Sequence, residues 1–141
     1  MNPYKPWKRL QNQQGAALVE FAVVLPMLLL LLFGIIEFGR VLSVSHSVNS
    51  AAREGARVAS LPGSDNDSVL AAIQNDLALA GLAVDSVEFD PIDISTASPD
   101  QPVTVRVIIN YESVGWVQGF IPGFSGGQLQ GVVVMRKEGL G

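Results

Sequence analysis

One stretch of the sequence is long enough and apolar enough to cross a lipid bilayer. It runs from Ala16 to Ile36, and Glu20 is its only ionisable residue. A helix of about 20 apolar residues spans the roughly 30 Å of hydrocarbon in a bilayer, so this stretch predicts a transmembrane helix. A carboxylate inside such a helix is costly to place in lipid and is by default a candidate functional group. Glu20 is therefore the first residue to explain.

The charges on the two sides of this stretch predict its orientation. Residues 1–15 contain three basic residues and no acidic one, whereas residues 41–141 contain eleven acidic and five basic ones. Basic residues favour the cytoplasmic side of a first span. We therefore expect the N-terminus in the cytoplasm and the C-terminal region outside it. The acidic C-terminal region also argues against nucleic acid as a partner, which requires a basic surface.

An ordinary secretory signal is the alternative interpretation of the N-terminus. Such a signal has an apolar core of about 7–15 residues, whereas the uncharged run Phe21–Ile36 is longer. The triplet Ser43-Val44-Ser45 resembles a signal cleavage site. Glu37 and Arg40 separate it from the apolar run, however, and the helical pattern continues past it. A membrane anchor is the favoured interpretation.

Beyond the span, small apolar residues recur every three or four positions and predict that the helix continues to about Ser60. They are Val41, Val44, Val48, Ala51, Ala52, Gly55 and Ala59. Only Pro26 interrupts the pattern, and a kink there is tolerated in a membrane helix. Small residues allow two elements to approach closely. The stripe predicts docking on the chain's own C-terminal domain, which we favour, or contact with a neighbouring helix.

The rest of the chain has the pattern of a small α+β domain. The segment Pro62–Asp67 breaks the helix, with Ser64 or Asp67 as the cap of a second helix that stops at Gly81. The apolar face of this second helix is predicted to consist of Leu70, Ile73, Leu77 and Ala80. Alternating residues then predict strands over residues 84–89, 103–111 and 130–137.

The predicted fold class is thus α+β, with a long N-terminal transmembrane helix that continues into a small exported domain. That domain holds a second helix and a three-stranded antiparallel sheet. The predicted segments are a basic leader over 1–15, a transmembrane helix over 16–37, a helical extension over 38–61 and the α+β domain over 62–141.

Two connections in this domain are long. Residues 91–102 are polar and proline-punctuated, which predicts a loop. Residues 113–127 hold Trp116, Phe120 and Phe124 among glycines, and fifteen residues is long for a hairpin connection. An exposed aromatic loop would form a partner-binding or membrane-surface patch. The favoured alternative is that these rings complete a thin core under the sheet.

The sequence holds no recognisable catalytic or metal-binding pattern. His46 is the only histidine and there is no cysteine, so neither a zinc site nor disulfides are expected. A membrane-tethered hydrolase would have to use His46, and no Gly-x-Ser-x-Gly motif accompanies it. The acidic residues at 65–67 and 90–100 lack the spacing of a calcium loop. We expect no enzyme, no cofactor and no metal.

The residues around Gly15 resemble a prepilin-type signal. A short basic leader ends in this glycine, and the hydrophobic helix that follows has Glu20 at its fifth position and Phe21 at its sixth. The whole stretch Gly15–Arg40, together with the later string Ala-Ala-Arg-Glu-Gly-Ala-Arg over residues 51–57, resembles the TadE-like proteins of the tight-adherence (Tad/Flp) pilus system. The resemblance is dense from residue 15 to residue 59.

This resemblance implies a pseudopilin or minor-pilin-like subunit that supports assembly of Tad/Flp-type pili. It implies cleavage between Gly15 and Ala16 by a prepilin peptidase, after which Glu20 would meet the new amino group of a neighbouring subunit. The implied partners are the peptidase, other pilin or pseudopilin subunits, the inner-membrane Tad assembly platform and lipid. The implied location is the bacterial inner membrane, as a single-pass protein with an extracytoplasmic C-terminal domain, or a pilus.

Two questions stay open at this level. The family signature formed by Arg53, Glu54 and Arg57 serves either the fold or assembly. An uncleaved, signal-anchored envelope protein with a partner-binding domain is the alternative function, and it differs from the pilin-like function in giving Glu20 no role.

Overall fold

The computed structural model describes residues 7–110 and 127–139, with side chains from residue 15 onward. It contains two compact units, residues 1–38 and residues 39–141. Two α-helices, α1 (Trp7–Ser60) and α2 (Asn66–Leu79), precede three strands. The strands are β1 (Ser86–Asp90), β2 (Pro102–Asn110) and β3 (Gln128–Arg136). The predicted α+β fold, with a long apolar helix, a second helix and a three-stranded antiparallel sheet, is confirmed.

Helix α1 is 54 residues long and begins earlier than the predicted Ala16. Residues 7–14 contain neither glycine nor proline, so nothing in their backbone chemistry stops the helix before Trp7. Pro26 lies inside α1, and the helix continues on both sides of it. The end at Ser60 agrees with the expected end of the helical pattern.

The first unit exposes a continuous apolar surface. Apart from the half-buried Leu25, its large apolar side chains between residues 18 and 38 are 40–72% exposed. By length and hydropathy, Gly15–Ser60 contains one candidate membrane span, with a mean hydropathy of 2.7 and no buried residue in its most apolar window. A surface of this kind is unfavourable in water and suits a lipid environment.

The second unit has its core between the sheet, α2 and the last turns of α1. The strand order is β1-β2-β3 and both pairings are antiparallel, with Val105 of the central strand opposite Phe89 on one side and Val133 on the other. The alternation of β2 buries one face completely: Val103, Val105, Val107 and Ile109. The predicted inward face of this strand is therefore correct.

Helix α2 is bounded by a cap and a stop that the backbone defines. Asp65 is the N-cap, not Ser64 or Asp67, because its carboxylate accepts a hydrogen bond from the Ser68 amide at 2.9 Å. Gly81 has a φ of 69°. Its amide and that of Leu82 donate to the carbonyls of Ala78 and Leu77, each at 3.0 Å, a Schellman arrangement. The predicted stop at Gly81 holds.

The buried face of α2 differs by one position from the predicted one. Val69, Ile73 and Leu77 are fully buried, whereas Leu70 is half-buried and Ala80 is exposed. Positions i, i+4 and i+8 share one face of a helix, so Val69 is buried on the same face as Ile73 and Leu77. The strand ends also shift: β1 starts after Val84, and β3 ends before Lys137.

The connection from β1 to β2 is a loop, as predicted, but it contributes to the core. It contains a short 3₁₀ turn, Ile94–Thr96, whose Ile94 is fully buried. Asn66 fixes this turn from α2: its Nδ2 donates to the Ile92 carbonyl at 2.8 Å, and its Oδ1 accepts from the Ile94 amide at 2.9 Å. The start of α2 and the loop are thereby tied together.

Candidate assembly interface

The residues expected at the processing and assembly site lie on one exposed stretch of α1. Gly15, Ala16, Glu20 and Phe21 are all helical and exposed. Ala16 and Glu20 are four residues apart, which is about 6 Å along a helix and places both on one face. No side chain in the described part of the chain pairs with Glu20.

Gly15 has no packing reason to be a glycine. A Cβ built at this position would have no neighbouring heavy atom within 4 Å, and the residue is in the ordinary helical conformation. Glycine in a helix interior costs roughly 0.5–1 kcal/mol relative to alanine. The structure of the helix therefore does not account for this glycine.

The family-signature residues divide into a pair and a single exposed cation. Arg57 donates two hydrogen bonds to Glu54, from Nε to Oε2 at 2.9 Å and from Nη2 to Oε1 at 2.5 Å. These hydrogen bonds lower the pKa of the Glu54 carboxyl and raise the pKa of Arg57. Arg53 is exposed and contacts no acidic side chain among the described residues. The pair stabilises the helix surface locally, whereas Arg53 has no role in the described fold.

The stripe of small residues packs against the chain's own domain, as the sequence analysis favoured. A Cβ on Gly55 would lie 2.6 Å from Ile73 Cγ1 of α2 and 3.4 Å from Val105 Cγ1 of β2. Side chains at this point would separate α1 from its neighbours, so a residue without a side chain is required. The buried members of the stripe are Val44, Val48, Ala51, Ala52, Gly55 and Ala59, and Ala56 is buried beside them.

Gly131 of the sheet makes a similarly close contact with α1, and the sequence pattern alone did not single it out. A Cβ on this residue would lie 2.8 Å from the Val48 carbonyl oxygen and 3.1 Å from Ala52 Cβ. Glycine inside a strand pattern is a known sign of close backbone approach. The glycine in the run Gln130–Val134 was therefore the signal that could have located it.

Lys137 is a second residue whose contacts the sequence pattern did not indicate, because the pattern placed it at the end of a strand. It is only 7% exposed, and its Nζ donates to the Ser64 hydroxyl at 2.6 Å and to the Ala59 carbonyl at 3.2 Å. The Glu138 amide donates to the Ser60 carbonyl at 2.7 Å. The chain after β3 thus satisfies carbonyls at the C-terminus of α1, where a cation is favoured. An open cleft of about 420 Å³ lies beside it.

The remaining candidates do not form a site in the described structure. His46 is exposed on α1, and no group of three potential metal ligands occurs among residues 7–110 and 127–139. The aromatic residues Trp116, Phe120 and Phe124 lie outside the described residues.

Of the comparisons with known proteins, one gives a match, and it lies in the N-terminal part of the chain. The family model described as TadE-like protein matches residues 15–57, and the resemblance read from the sequence is confirmed over that segment. The match begins at Gly15 and ends at Arg57, so it includes both candidate groups on α1. It supports a pilin-like protein associated with Tad pili. No curated protein and no solved structure matches the chain significantly.

Proposed function

We propose that this chain is a pseudopilin or minor-pilin-like subunit that supports assembly of Tad/Flp-type pili. A prepilin peptidase would cleave it between Gly15 and Ala16. The single observation that carries the proposal is the TadE-like match starting at Gly15, a helical glycine that no packing contact requires. A peptidase that needs a residue without a side chain at its cleavage point gives this glycine a purpose.

Cleavage would place two opposite charges on one face of α1. The new α-amino group of Ala16 would carry a positive charge at neutral pH. Glu20 lies one helical turn away, exposed and without a partner among the described side chains. In lipid an isolated carboxylate is strongly disfavoured, so pairing it with the amine of a neighbouring subunit would stabilise one alignment of the two helices.

The surroundings of the pair fit this mechanism. Phe21 and the other large side chains of residues 18–38 are exposed along the helix and offer apolar surface to lipid or to neighbouring helices. The basic leader favours a cytoplasmic N-terminus. The proposed location is therefore the bacterial inner membrane or a pilus built from it, with residues 41–141 outside the cytoplasm. The proposed partners are the peptidase, other pilin-like subunits, the Tad assembly platform and lipid.

The first test is the N-terminal sequence and intact mass of the protein from membranes of a strain that has its own prepilin peptidase. We expect a mature chain that begins at Ala16 and expect Gly15→Leu to retain residues 1–15. Gly34→Leu is the matched control, because Gly34 is another glycine of α1 with no atom within 4 Å of its Cβ position. Retention of the leader in the wild-type chain would instead identify an uncleaved anchor.

The second arm of this test concerns Glu20. Glu20→Gln keeps the size of the side chain and removes its charge. We expect processing at Gly15 to continue while assembly, measured as sheared pilus material, falls at least about tenfold, the effect of 1.4 kcal/mol. Unchanged assembly in this variant would remove the charge-pairing mechanism while leaving the cleavage result in place.

A further inference from the structure

Among the described residues, strand β3 is paired along one edge only. The sheet order β1-β2-β3 leaves β3 with β2 on one side only, and in the described part of the chain no backbone hydrogen bond reaches residues 128–136 from the other side. The strand is nine residues long and contains neither proline nor lysine. Long edges without such residues are pairing sites for another strand.

Strand β1 is the other edge of the same sheet, and it runs in the same direction as β3. Both are antiparallel to β2, so they are parallel to each other. A second copy displaced sideways without rotation would therefore bring its β1 next to β3 as a parallel pair. Copies anchored in one membrane by the same end of the chain share one orientation, and a sideways displacement preserves it.

The register of such a pair follows from the central strand. Val105 faces both Phe89 and Val133, and Arg106 faces both Glu88 and Val132. Phe89 of a sideways copy would thus lie level with Val133, and its Glu88 level with Val132. Phe89 and Val133 are half-buried apolar residues on the inner face at opposite edges, and each would gain apolar cover from the other.

The outer face of the sheet adds charge complementarity. β1 carries Glu88 and Asp90 there, whereas β3 carries Val132, Val134 and Arg136 and no acidic residue. Asp90 is level with Val134 through Thr104, so Asp90 of the next copy would lie diagonally across from Arg136. Arg136 also pairs with Asp100 of its own copy, in an exposed contact at 3.0 Å, and would then lie between two carboxylates. Opposite charges on neighbouring strands are favourable, and two β3 edges brought together would lack such a pair.

We propose that the β3 edge of one copy pairs in parallel with the β1 edge of the next. The contact uses two different surfaces, so it repeats along a row of subunits instead of closing into a dimer. A five-residue strand pair is a small contact. It suits subunits whose membrane anchors already raise their effective concentration. This inference uses the proposed function only for the common orientation of the copies.

Disulfide cross-linking in membranes tests the pairing, because the chain contains no cysteine. We expect the double variant Glu88→Cys/Val132→Cys to give a ladder of covalent oligomers on mild oxidation, because neighbouring strands lie about 4.8 Å apart and disulfides need that spacing. Glu88 and Val132 are exposed, and β2 separates them within one copy. Leu79→Cys/Ile92→Cys, at two other exposed positions, is the matched control.

The variants with a single cysteine show which strand edges meet. Dimers from Val132→Cys alone would mean that two β3 edges meet, and they would overturn the proposal. A cross-linked product with the mass of a different protein would overturn it as well, and so would the absence of any ladder. A further variant adds Val134→Glu to Glu88→Cys/Val132→Cys, because residue 134 is level with Asp90 of the next copy and the new carboxylate would repel it.

For this glutamate variant we expect the yield of the Glu88→Cys/Val132→Cys ladder to fall about two- to fivefold, the effect of one cross-strand contact. Ser50→Glu, on the exposed side of α1, is the control and should leave the yield unchanged. The two proposals fail separately. A ladder from chains that keep residues 1–15 would remove only the cleavage proposal, whereas processed chains without a ladder would remove only the strand pairing.

Discussion

The two halves of helix α1 share one backbone conformation but differ in the size and burial of their side chains. Between residues 18 and 38 the helix presents large apolar side chains that, apart from Leu25, are 40–72% exposed. Between residues 44 and 59 it presents valine, alanine and glycine that are buried against α2 and the sheet. Hydropathy alone joins these halves into one candidate span, Gly15–Ser60. Side-chain size separates them.

This difference indicates where along α1 the contact with lipid ends. A helix of 46 residues is about 69 Å long, more than twice the hydrocarbon thickness, so not all of Gly15–Ser60 is needed to cross a bilayer. Large side chains maximise contact with fluid lipid chains, whereas small ones allow other parts of the protein to approach closely: side chains at Gly55, and backbone where Gly131 meets Val48. The change from leucine-rich to alanine-rich sequence therefore marks a change of neighbour.

The largest loss of stability should come from placing a methyl group where the backbones of α1 and β3 meet. Gly131→Ala would bring a Cβ to 2.8 Å from the Val48 carbonyl oxygen, and a backbone atom cannot rotate away as a side chain can. We expect the domain to lose about 1–3 kcal/mol, the usual cost of overpacking, toward the upper end of that range. Pulse proteolysis of the full chain in detergent micelles with increasing urea would measure it.

Gly34→Ala is the control from the other half of α1, where the new Cβ meets nothing within 4 Å. The domain's urea midpoint should not change in this variant. Equal losses in the two variants would mean that the two halves do not differ as the packing indicates.

A somewhat smaller effect should follow from Lys137→Met, which keeps the length of the side chain and removes its ammonium group. The Ala59 carbonyl and the Ser64 hydroxyl would each lose a donor in a buried place. We expect a loss of about 1–3 kcal/mol. It should lie toward the lower end, because the Ser64 hydroxyl still donates to the Ala59 carbonyl at 2.9 Å.

Arg136→Met is the matched control for this substitution. Its guanidinium pairs with Asp100 at 3.0 Å, but both side chains are more than 70% exposed. An exposed pair contributes about 0–1 kcal/mol, so the urea midpoint should move little. If Arg136→Met cost as much as Lys137→Met, burial at the end of α1 would not explain the effect.

The sequence was enough to predict those elements whose residue pattern fits only one structure. The alternation in β2 and the end of α1 at the Pro62-Gly63 break left no competing choice. The cap of α2 did have competitors: Ser64, Asp65 and Asp67 can all cap a helix, and tertiary contacts decide among them. Ser64 is used elsewhere, because its hydroxyl bonds to the Ala59 and Leu61 carbonyls.

The contacts between elements that are far apart in the sequence could not be predicted from the residue pattern. Lys137 follows a strand in sequence and looks like a solvent-facing charge, yet it reaches Ala59, far back along the chain. Ile94 sits in a polar loop and is buried because Asn66 holds its turn against α2. At the candidate site, the sequence singled out Gly15 and Glu20 as candidates, and the geometry adds that Arg57 pairs with Glu54 while Arg53 stays exposed.

The smallest effect is a dependence on pH that belongs to the domain half of the molecule. Hydrogen bonds from Arg57 lower the pKa of Glu54 from its ordinary 4.5, and hydrogen bonds from Ser68 lower the pKa of Asp65 from its ordinary 3.8. A carboxyl with a lowered pKa in the folded state stabilises the fold above its ordinary pKa. That contribution is lost as the pH falls through the folded value.

We therefore expect the last turns of α1 and the first turn of α2 to exchange amide hydrogens faster, relative to the intrinsic rate, as the pH falls below about 4.5. Glu54→Gln should remove this acid dependence in α1 while leaving that of α2 in place. Asp65→Asn should do the reverse, because asparagine still caps the helix but does not titrate. An acid dependence that persisted in both variants together would have to arise from carboxyl groups other than these two.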